Sequence, residues 1–313
     1  MTAHTTFASA PSVIVDGEKR HRRLVAIAAG LAIVFILGLT IYGADYYVLE
    51  PAQRPFSSKH HALMPSGAVG INLGFLGVLM LCGIFLYPLR KHWPWLQKKG
   101  NSKHWLDYHV VLGVAAPVVI AFHSSFKFRG LAGIAFWVMV AVTVSGFVGR
   151  YLYAQIPRLV AADERSLNVF RKVTVYMSAR LEHQRLISPS DLKPLLRLPT
   201  PEQVASWPTL VALGYMVAFD LGRPIHVARL RMRFMGMEET LFSFGGLLPG
   251  RDPQLEWVIS LAREQALLSK RIVFLTRAQQ VFQLWHIIHK PFSYAFAILV
   301  ILHILVAMLL GFI

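Results

Sequence analysis

Four histidines form two pairs with the same spacing. His109 and His123 are 14 residues apart in one apolar stretch, and His289 and His303 are 14 residues apart in another. In an α-helix, 14 residues rise about 21 Å and end about 40° short of four full turns, so both members of a pair share one face. A histidine inside a membrane helix is costly and is therefore a functional candidate. Two such helices side by side offer two imidazoles at each of two levels, which suits two hemes with two histidine ligands each.

Other roles for these histidines stay open on the sequence alone. A single intramembrane histidine can form hydrogen bonds between helices. A zinc or proton-relay site is less apt, because ligands about 21 Å apart cannot share one ion. His286 competes with His289 as the fourth ligand. It lies about 100° around the helix from His303, which favours His289, although Pro291 can bend this end and blur the angle.

The elements that would position these residues are membrane helices. The chain has 313 residues, of which 55% are apolar, and a mean hydropathy of +0.50. Five mostly apolar stretches reach the length that crosses a bilayer, about 20 residues: 24–42, 67–87, 106–122, 131–151 and 291–313. We therefore predict an all-α membrane protein with five transmembrane helices, a heme-binding helical bundle, and a helical cytoplasmic insertion between helices 4 and 5.

The net charge of +16 indicates topology and not nucleic-acid binding. Of the 32 Lys and Arg residues, only Arg54, Lys59, Lys127 and Arg129 fall on one side of the predicted helices. The positive-inside rule then places the N-terminus in the cytoplasm and the C-terminus outside. The single cysteine, Cys82, excludes an iron–sulfur cluster, a CxxCH heme attachment and an internal disulfide within this chain.

The predicted organisation has four parts: a cytoplasmic tail (1–23, loose over 1–18), helices 1–4 (24–151), a mainly helical cytoplasmic segment (152–280) and helix 5 (281–313). The long segment contains an amphipathic stretch from 161 to about 187 and a helix that Asp252 and Pro253 would begin, reaching towards Trp285. Its apolar run 208–219 is too short to span a membrane, and is either an interfacial helix or a buried one. It lacks the usual nucleotide-binding fingerprints.

Several further residues are candidates for contact with a heme. Gly70 and Gly74 belong to a small-residue face on helix 2 that allows close approach of a porphyrin or, equally, of another helix. Heme propionates need cationic partners. Arg150 on the cytoplasmic side, and Lys127 and Arg129 on the outer side, are the basic residues near the two levels.

Two parallel helices that each contain His-x13-His resemble the four-helix core of the cytochrome b subunit of quinol–cytochrome c reductases. The stretches Trp105–His109, Gly149–Tyr153 and Trp285–Phe292 also resemble a group of bacterial membrane cytochromes linked to c-type cytochrome or iron–sulfur partners. The resemblance implies two heme b groups, a quinone or quinol, and a location in the bacterial inner membrane. The chain departs from the reductases in lacking a Pro-Glu-Trp-Tyr motif and the later helices of that family.

The expected function is therefore that of a di-heme b-type cytochrome that carries electrons across the membrane, as a subunit of an oxidoreductase. Its partners would be the lipid bilayer, the quinone pool, and a c-type cytochrome or iron–sulfur protein subunit, with no nucleic acid. One alternative is a ferric-type transmembrane reductase fed by a separate NAD(P)H module, because the chain has no dinucleotide motif of its own. Another is a non-redox membrane scaffold or transporter.

Overall fold

The computed structural model describes residues 12–156 and 164–312, and regular secondary structure in these ranges is entirely helical. Besides a 3₁₀ turn at Arg54–Phe56, these residues form thirteen α-helices: α1 (Ser12–Tyr47), α2 (His60–Leu63), α3 (Ala68–Arg90), α4 (Pro94–Gln97), α5 (Ser102–His123), α6 (Gly130–Gln155), α7 (Glu164–His183), α8 (Pro189–Leu196), α9 (Pro201–Ser206), α10 (Thr209–Phe234), α11 (Met237–Phe242), α12 (Pro253–Val273) and α13 (Leu275–Leu309). The all-α prediction is confirmed for these residues.

Six of the helices are long and apolar enough to cross a membrane: Gly17–Tyr47, His60–Arg90, Ser102–His123, Gly130–Gln155, Thr209–Phe234 and Leu275–Leu309. Four of them contain the first four predicted stretches, Leu275–Leu309 contains residues 291–309 of the fifth, and Thr209–Phe234 is the sixth span. The predicted count of five is therefore not confirmed, because the apolar run 208–219 continues as a helix as far as Phe234.

Apolar side chains that face outward explain why these helices need a lipid environment. On α1, Leu31 is 66% exposed, Val34 67% and Ile41 78%. Water penalises apolar surface of this extent, whereas hydrocarbon does not. The helical backbone meanwhile satisfies its own hydrogen bonds, as a lipid environment requires. The chain is a membrane protein.

The described residues divide into two compact units. Unit 1 contains the residues up to Phe147 and those from His289 onward, and unit 2 spans Val148–Ile288. Because α6 and α13 each continue from one unit into the other, both units contain part of each helix. The predicted domain boundaries at residues 151 and 280 concern where the chain leaves the membrane, and they stay a prediction.

In unit 1, α3 and α5 form the closest helix pair, and α1 packs on α5. The buried side chains between α3 and α5 include Leu73, Met80, Val119 and Phe122. A second apolar cluster joins α6 to α13 through Phe136, Met139 and Phe296, together with Ala121 of α5. These two clusters hold α3, α5, α6 and α13 in one bundle.

Unit 2 has its own apolar cores. The larger consists of side chains from α7, α8, α10 and α12, among them Leu181, Leu192, Val227 and Ile259. A smaller one joins the end of α6 to α9, α10 and Phe274. Unit 2 is therefore a packed helical assembly.

Three local predictions can be compared with the structure. Residues 12–18 were predicted to be a loose tail, but they are helical, because α1 begins at Ser12 well before its apolar stretch. Asp252 caps α12 as predicted and accepts hydrogen bonds from the backbone N–H groups of Gln254 and Leu255. That helix ends at Val273 instead of reaching Trp285. Residues 1–11 of the predicted tail and 161–163 of the amphipathic stretch lie outside the described residues.

Candidate metal centre

The two histidines of α5 are each held by a main-chain carbonyl of α3. His109 Nδ1 lies 2.9 Å from the Ile84 carbonyl oxygen, and His123 Nδ1 lies 2.8 Å from that of Gly70. A carbonyl only accepts hydrogen bonds, so Nδ1 must be the protonated nitrogen in each ring. A neutral ring of this tautomer leaves the lone pair on Nε2, which is the arrangement that metal-ligating histidines need.

Two glycines of α3 make this arrangement possible. A Cβ atom added to Gly74 would lie 2.9 Å from Cε1 and 3.0 Å from Nδ1 of His123, so the bare backbone leaves the space that the imidazole fills. A Cβ on Gly70 would lie 2.1 Å from the Met64 carbonyl oxygen. Both glycines were predicted to allow the approach of a porphyrin or of another helix. In the structure they accommodate the His123 ring and the chain at Met64.

His289 is oriented by a hydroxyl of α6. Its Nδ1 lies 2.6 Å from Ser145 Oγ. The same hydroxyl donates its single proton to the carbonyl oxygen of Val142, at 2.8 Å. A hydroxyl has one proton, so when Ser145 donates to Val142 it accepts from Nδ1–H of His289. His289 then shares the tautomer of His109 and His123.

His303 faces His123 across the bundle. Their ring centroids are 6.5 Å apart and the ring planes are inclined by 74°. Two imidazoles that bind one iron from opposite sides have centroids roughly 6 Å apart, since each metal–nitrogen bond is about 2 Å and each ring adds about 1 Å. The spacing of this pair thus fits a shared iron, and it also lies within the range of an edge-on ring pair.

The helix directions in unit 1 place the other pair at a second level. Thr143 of α6 donates to the Gly113 carbonyl of α5, while Ser145 meets His289 and Phe136 packs in one cluster with Phe296. α13 is therefore antiparallel to α6 and parallel to α5. Since α5 and α13 are parallel, His289 lies towards the His109 end of the bundle and His303 lies at the His123 end.

His286, the rival of His289, has a different environment. Its Nδ1 lies 3.0 Å from the Phe282 carbonyl of its own helix, and its ring contacts Phe282 and Trp285 edge-on. Trp285 itself lies over Gly149, where an added Cβ would be 2.2 Å from the indole. His286 bonds to a carbonyl of its own helix, whereas His289 bonds to the Ser145 side chain of α6. This difference favours His289 as the ligand.

The three basic residues predicted near the propionates lie close to helix ends. Lys127 and Arg129 are exposed and follow α5, and Arg150 is half-buried near the end of α6. Their assignment to propionates stays a prediction.

Sequence reasoning missed the groups that orient the ligands. Ser145 and the carbonyls of Ile84 and Gly70 gave no signal, because a serine in an apolar helix is common and a carbonyl is present at every residue. Arg54 was counted only as a charge for topology. It is 5% exposed and its guanidinium donates to the carbonyls of Leu49, Tyr47 and Ser125.

The bonds of Arg54 support the turn that follows His123. Ser125 and Phe126 both have positive φ, 48° and 58°, which is strained for residues other than glycine. Ser125 is fully buried and its hydroxyl donates to the Leu63 carbonyl. The buried arginine and this hydroxyl together fix the end of α5 that holds His123.

Within the described residues, no three His, Cys, Asp or Glu side chains come together as a metal cluster. A heme iron needs only two protein ligands, because the porphyrin supplies the other four. Comparison with protein-family models, curated proteins and solved structures finds no match for this chain.

Proposed function

We propose that this chain is a di-heme b-type cytochrome that carries electrons across the membrane between the quinone pool and a soluble redox partner. The observation that supports it most is the shared tautomer of His109, His123 and His289, each with Nδ1 hydrogen-bonded and Nε2 left as a possible ligand. Ordinary interhelical hydrogen bonding would not require three histidines of the bundle to adopt one tautomer at two separate levels.

The residues present fit two hemes. His123 with His303, and His109 with His289, would supply the axial ligands, and the spacing of the first pair suits a shared iron. Heme b, when bound, takes up and releases one electron at its iron. The chain's part is to fix each imidazole through Ile84, Gly70 and Ser145. The lipid-facing helices keep water away from both levels.

The two histidine levels lie near opposite ends of the bundle. The 14-residue spacing places the levels about 21 Å apart along the helices, which is most of the roughly 30 Å hydrocarbon thickness. One level is therefore near each membrane surface. A quinone site near one level and a c-type cytochrome or iron–sulfur protein subunit near the other would complete an oxidoreductase.

Five crossings, and not six, suit the geometry of unit 1. The chain leaves unit 1 after Phe147 and returns at His289, and these points lie at the same level because Ser145 contacts His289. The segment between them must then cross the membrane an even number of times. We therefore propose that α10, a candidate span by length and composition, does not cross the membrane. By the positive-inside rule, residues 152–280 lie in the cytoplasm of a bacterial inner membrane, with the N-terminus inside and the C-terminus outside.

Heme stoichiometry of paired variants tests the function. The purified protein should show reduced-minus-oxidised bands of heme b at about two hemes per chain. The His123→Ala/His303→Ala and His109→Ala/His289→Ala variants should each retain one heme, and the control variant His286→Ala should retain both. A colourless wild-type protein would refute the function. Retention of both hemes by either double variant would refute the ligand assignment.

Quinol and NADH, added in turn to the purified protein, test the electron donor. A quinol analogue should reduce the hemes, and NADH should not. Hemes that the quinol leaves oxidised would instead support the ferric-type reductase, whose NAD(P)H module is a separate chain.

Cysteine labelling tests the number of crossings. In a Cys82→Ser background, Ser190→Cys and Glu238→Cys place a thiol at exposed positions before and after α10. Both should be labelled from the cytoplasmic side only. Labelling of the two positions from opposite sides would show that α10 crosses the membrane.

A further inference from the structure

Donors from three helices of unit 2 share the half-buried carboxylate of Asp220. Asp220 of α10 accepts hydrogen bonds at Oδ2 from Tyr151 at 2.8 Å, from Gln155 at 3.4 Å and from Lys270 at 2.5 Å. Its Oδ1 accepts from Arg223 at 2.9 Å. Four donors occupy the acceptor capacity of a carboxylate, which has about four lone-pair sites.

The positive charge around Asp220 exceeds what this carboxylate can balance. Lys270 is 1% exposed, and Arg223 and Arg271 are both at least half buried. Together they contribute three positive charges against the single negative charge of Asp220. Burial lowers the pKa of both Lys270 and Arg271, and Asp220 opposes the shift in each case. Burial of unbalanced charge is costly unless another anion accompanies it.

Two guanidinium nitrogens in this cluster are without partners. The Nε atoms of Arg223 and of Arg271 are both buried and have no hydrogen-bond partner among the described residues. A buried donor without a partner costs about 1–3 kcal/mol, and more when it is charged. The planar guanidinium groups match the geometry of phosphate oxygens.

We propose that Arg223, Arg271 and Lys270 form a binding site for a phosphate group. The phosphate would balance the excess charge and accept hydrogen bonds from the free guanidinium nitrogens, while Asp220 keeps the three helices in place. Tyr151 and Gln155 lie in the last two turns of the candidate span Gly130–Gln155, and the end of a membrane-spanning helix lies near the lipid headgroups. The phosphate can therefore come from an acidic phospholipid headgroup or from solution, since basic pockets near helix ends bind both. The site does not depend on heme.

Thermal unfolding of the full-length protein tests the site. In one arm, the protein in phosphatidylcholine nanodiscs is titrated with inorganic phosphate, with sodium chloride at equal ionic strength as the reference. In the other, phosphatidylglycerol replaces part of the phosphatidylcholine and phosphate is omitted. Saturating ligand should raise Tm by about 5 °C. A response only to the lipid identifies a headgroup site, and a response only to phosphate identifies a soluble ligand.

Variants decide whether the cluster is responsible. Arg271→Gln should weaken the response at least tenfold in ligand concentration, and Arg271→Lys, which keeps the charge but loses the planar group, should weaken it less. Arg229→Gln is the matched control, because Arg229 is exposed on α10. The proposal is overturned if neither arm shifts Tm of the wild-type protein, or if Arg271→Gln and Arg271→Lys respond like the wild type. The wild-type and Arg271→Lys titrations decide the question if Arg271→Gln fails to fold.

Discussion

Replacement of Ser145 by alanine tests how the bundle orients His289. The Ser145 hydroxyl lies 2.6 Å from His289 Nδ1 and is fixed by its own bond to the Val142 carbonyl. Ser145→Ala removes the hydroxyl that bonds to this Nδ1. The imidazole can then rotate about its side-chain bonds and lose the tautomer that leaves Nε2 available.

The expected loss of heme affinity follows from the role of Ser145, which forms a hydrogen bond with the predicted ligand His289. Removal of such partners typically lowers metal affinity 10–100-fold, which corresponds to about 1.4–2.7 kcal/mol of binding free energy. Loss of a single hydrogen bond with no bearing on a ligand would cost only about 1 kcal/mol of folding stability. We therefore expect heme affinity at the His109–His289 level to fall by more than the protein's stability does.

The assay is heme occupancy at limiting heme, followed with a redox titration that resolves the two hemes. Thr143→Val is the control, because Thr143 lies on the same helix and donates to the Gly113 carbonyl and not to a histidine in the described residues. Ser145→Ala should lose occupancy or shift the potential of one heme, and Thr143→Val should leave both unchanged. Wild-type occupancy and potentials in Ser145→Ala would refute the role of Ser145. So would equal losses in the two variants.

Three further substitutions have defined outcomes. Gly74→Val places a Cβ about 3 Å from the His123 ring. Overpacking of this kind costs about 1–3 kcal/mol, so the ring should be displaced and the heme content should fall from two to one per chain. A content of two would contradict this. Arg54→Met leaves three carbonyls without their donor and should destabilise the protein by about 2–4 kcal/mol, whereas an unchanged Tm would show that water replaces the guanidinium. Burial tends to raise the pKa of Glu256, but the hydrogen bonds of Arg231 and a backbone N–H outweigh it and leave that pKa below its ordinary value. The Glu256–Arg231 pair should therefore stabilise unit 2 above about pH 4.3, and this stabilisation should be lost as the pH falls through the folded-state pKa of Glu256. Glu256→Gln should lower Tm at pH 7 and reduce the fall of Tm between pH 5 and 3. An equal fall of Tm in both proteins would exclude the pair as the cause.

The sequence could predict the parts of this protein that depend on local periodicity. Apolar runs of sufficient length require helices in lipid, so the all-α fold and the membrane helices follow from composition alone. The 14-residue spacing puts His109 and His123 on one face in any α-helix. The N-cap at Asp252 is likewise a local matter of side chain and backbone, and it is confirmed.

Contacts between distant segments were decided only by tertiary structure. The tautomers of His109 and His123 depend on carbonyls of α3, 25 and 53 residues away in the chain. The partner of His289 is Ser145, 144 residues away. No local pattern marks a backbone carbonyl or a single serine as the acceptor for a particular ring. Packing of α3 and α6 around the histidines selects these groups, because a half-buried imidazole N–H must find an acceptor.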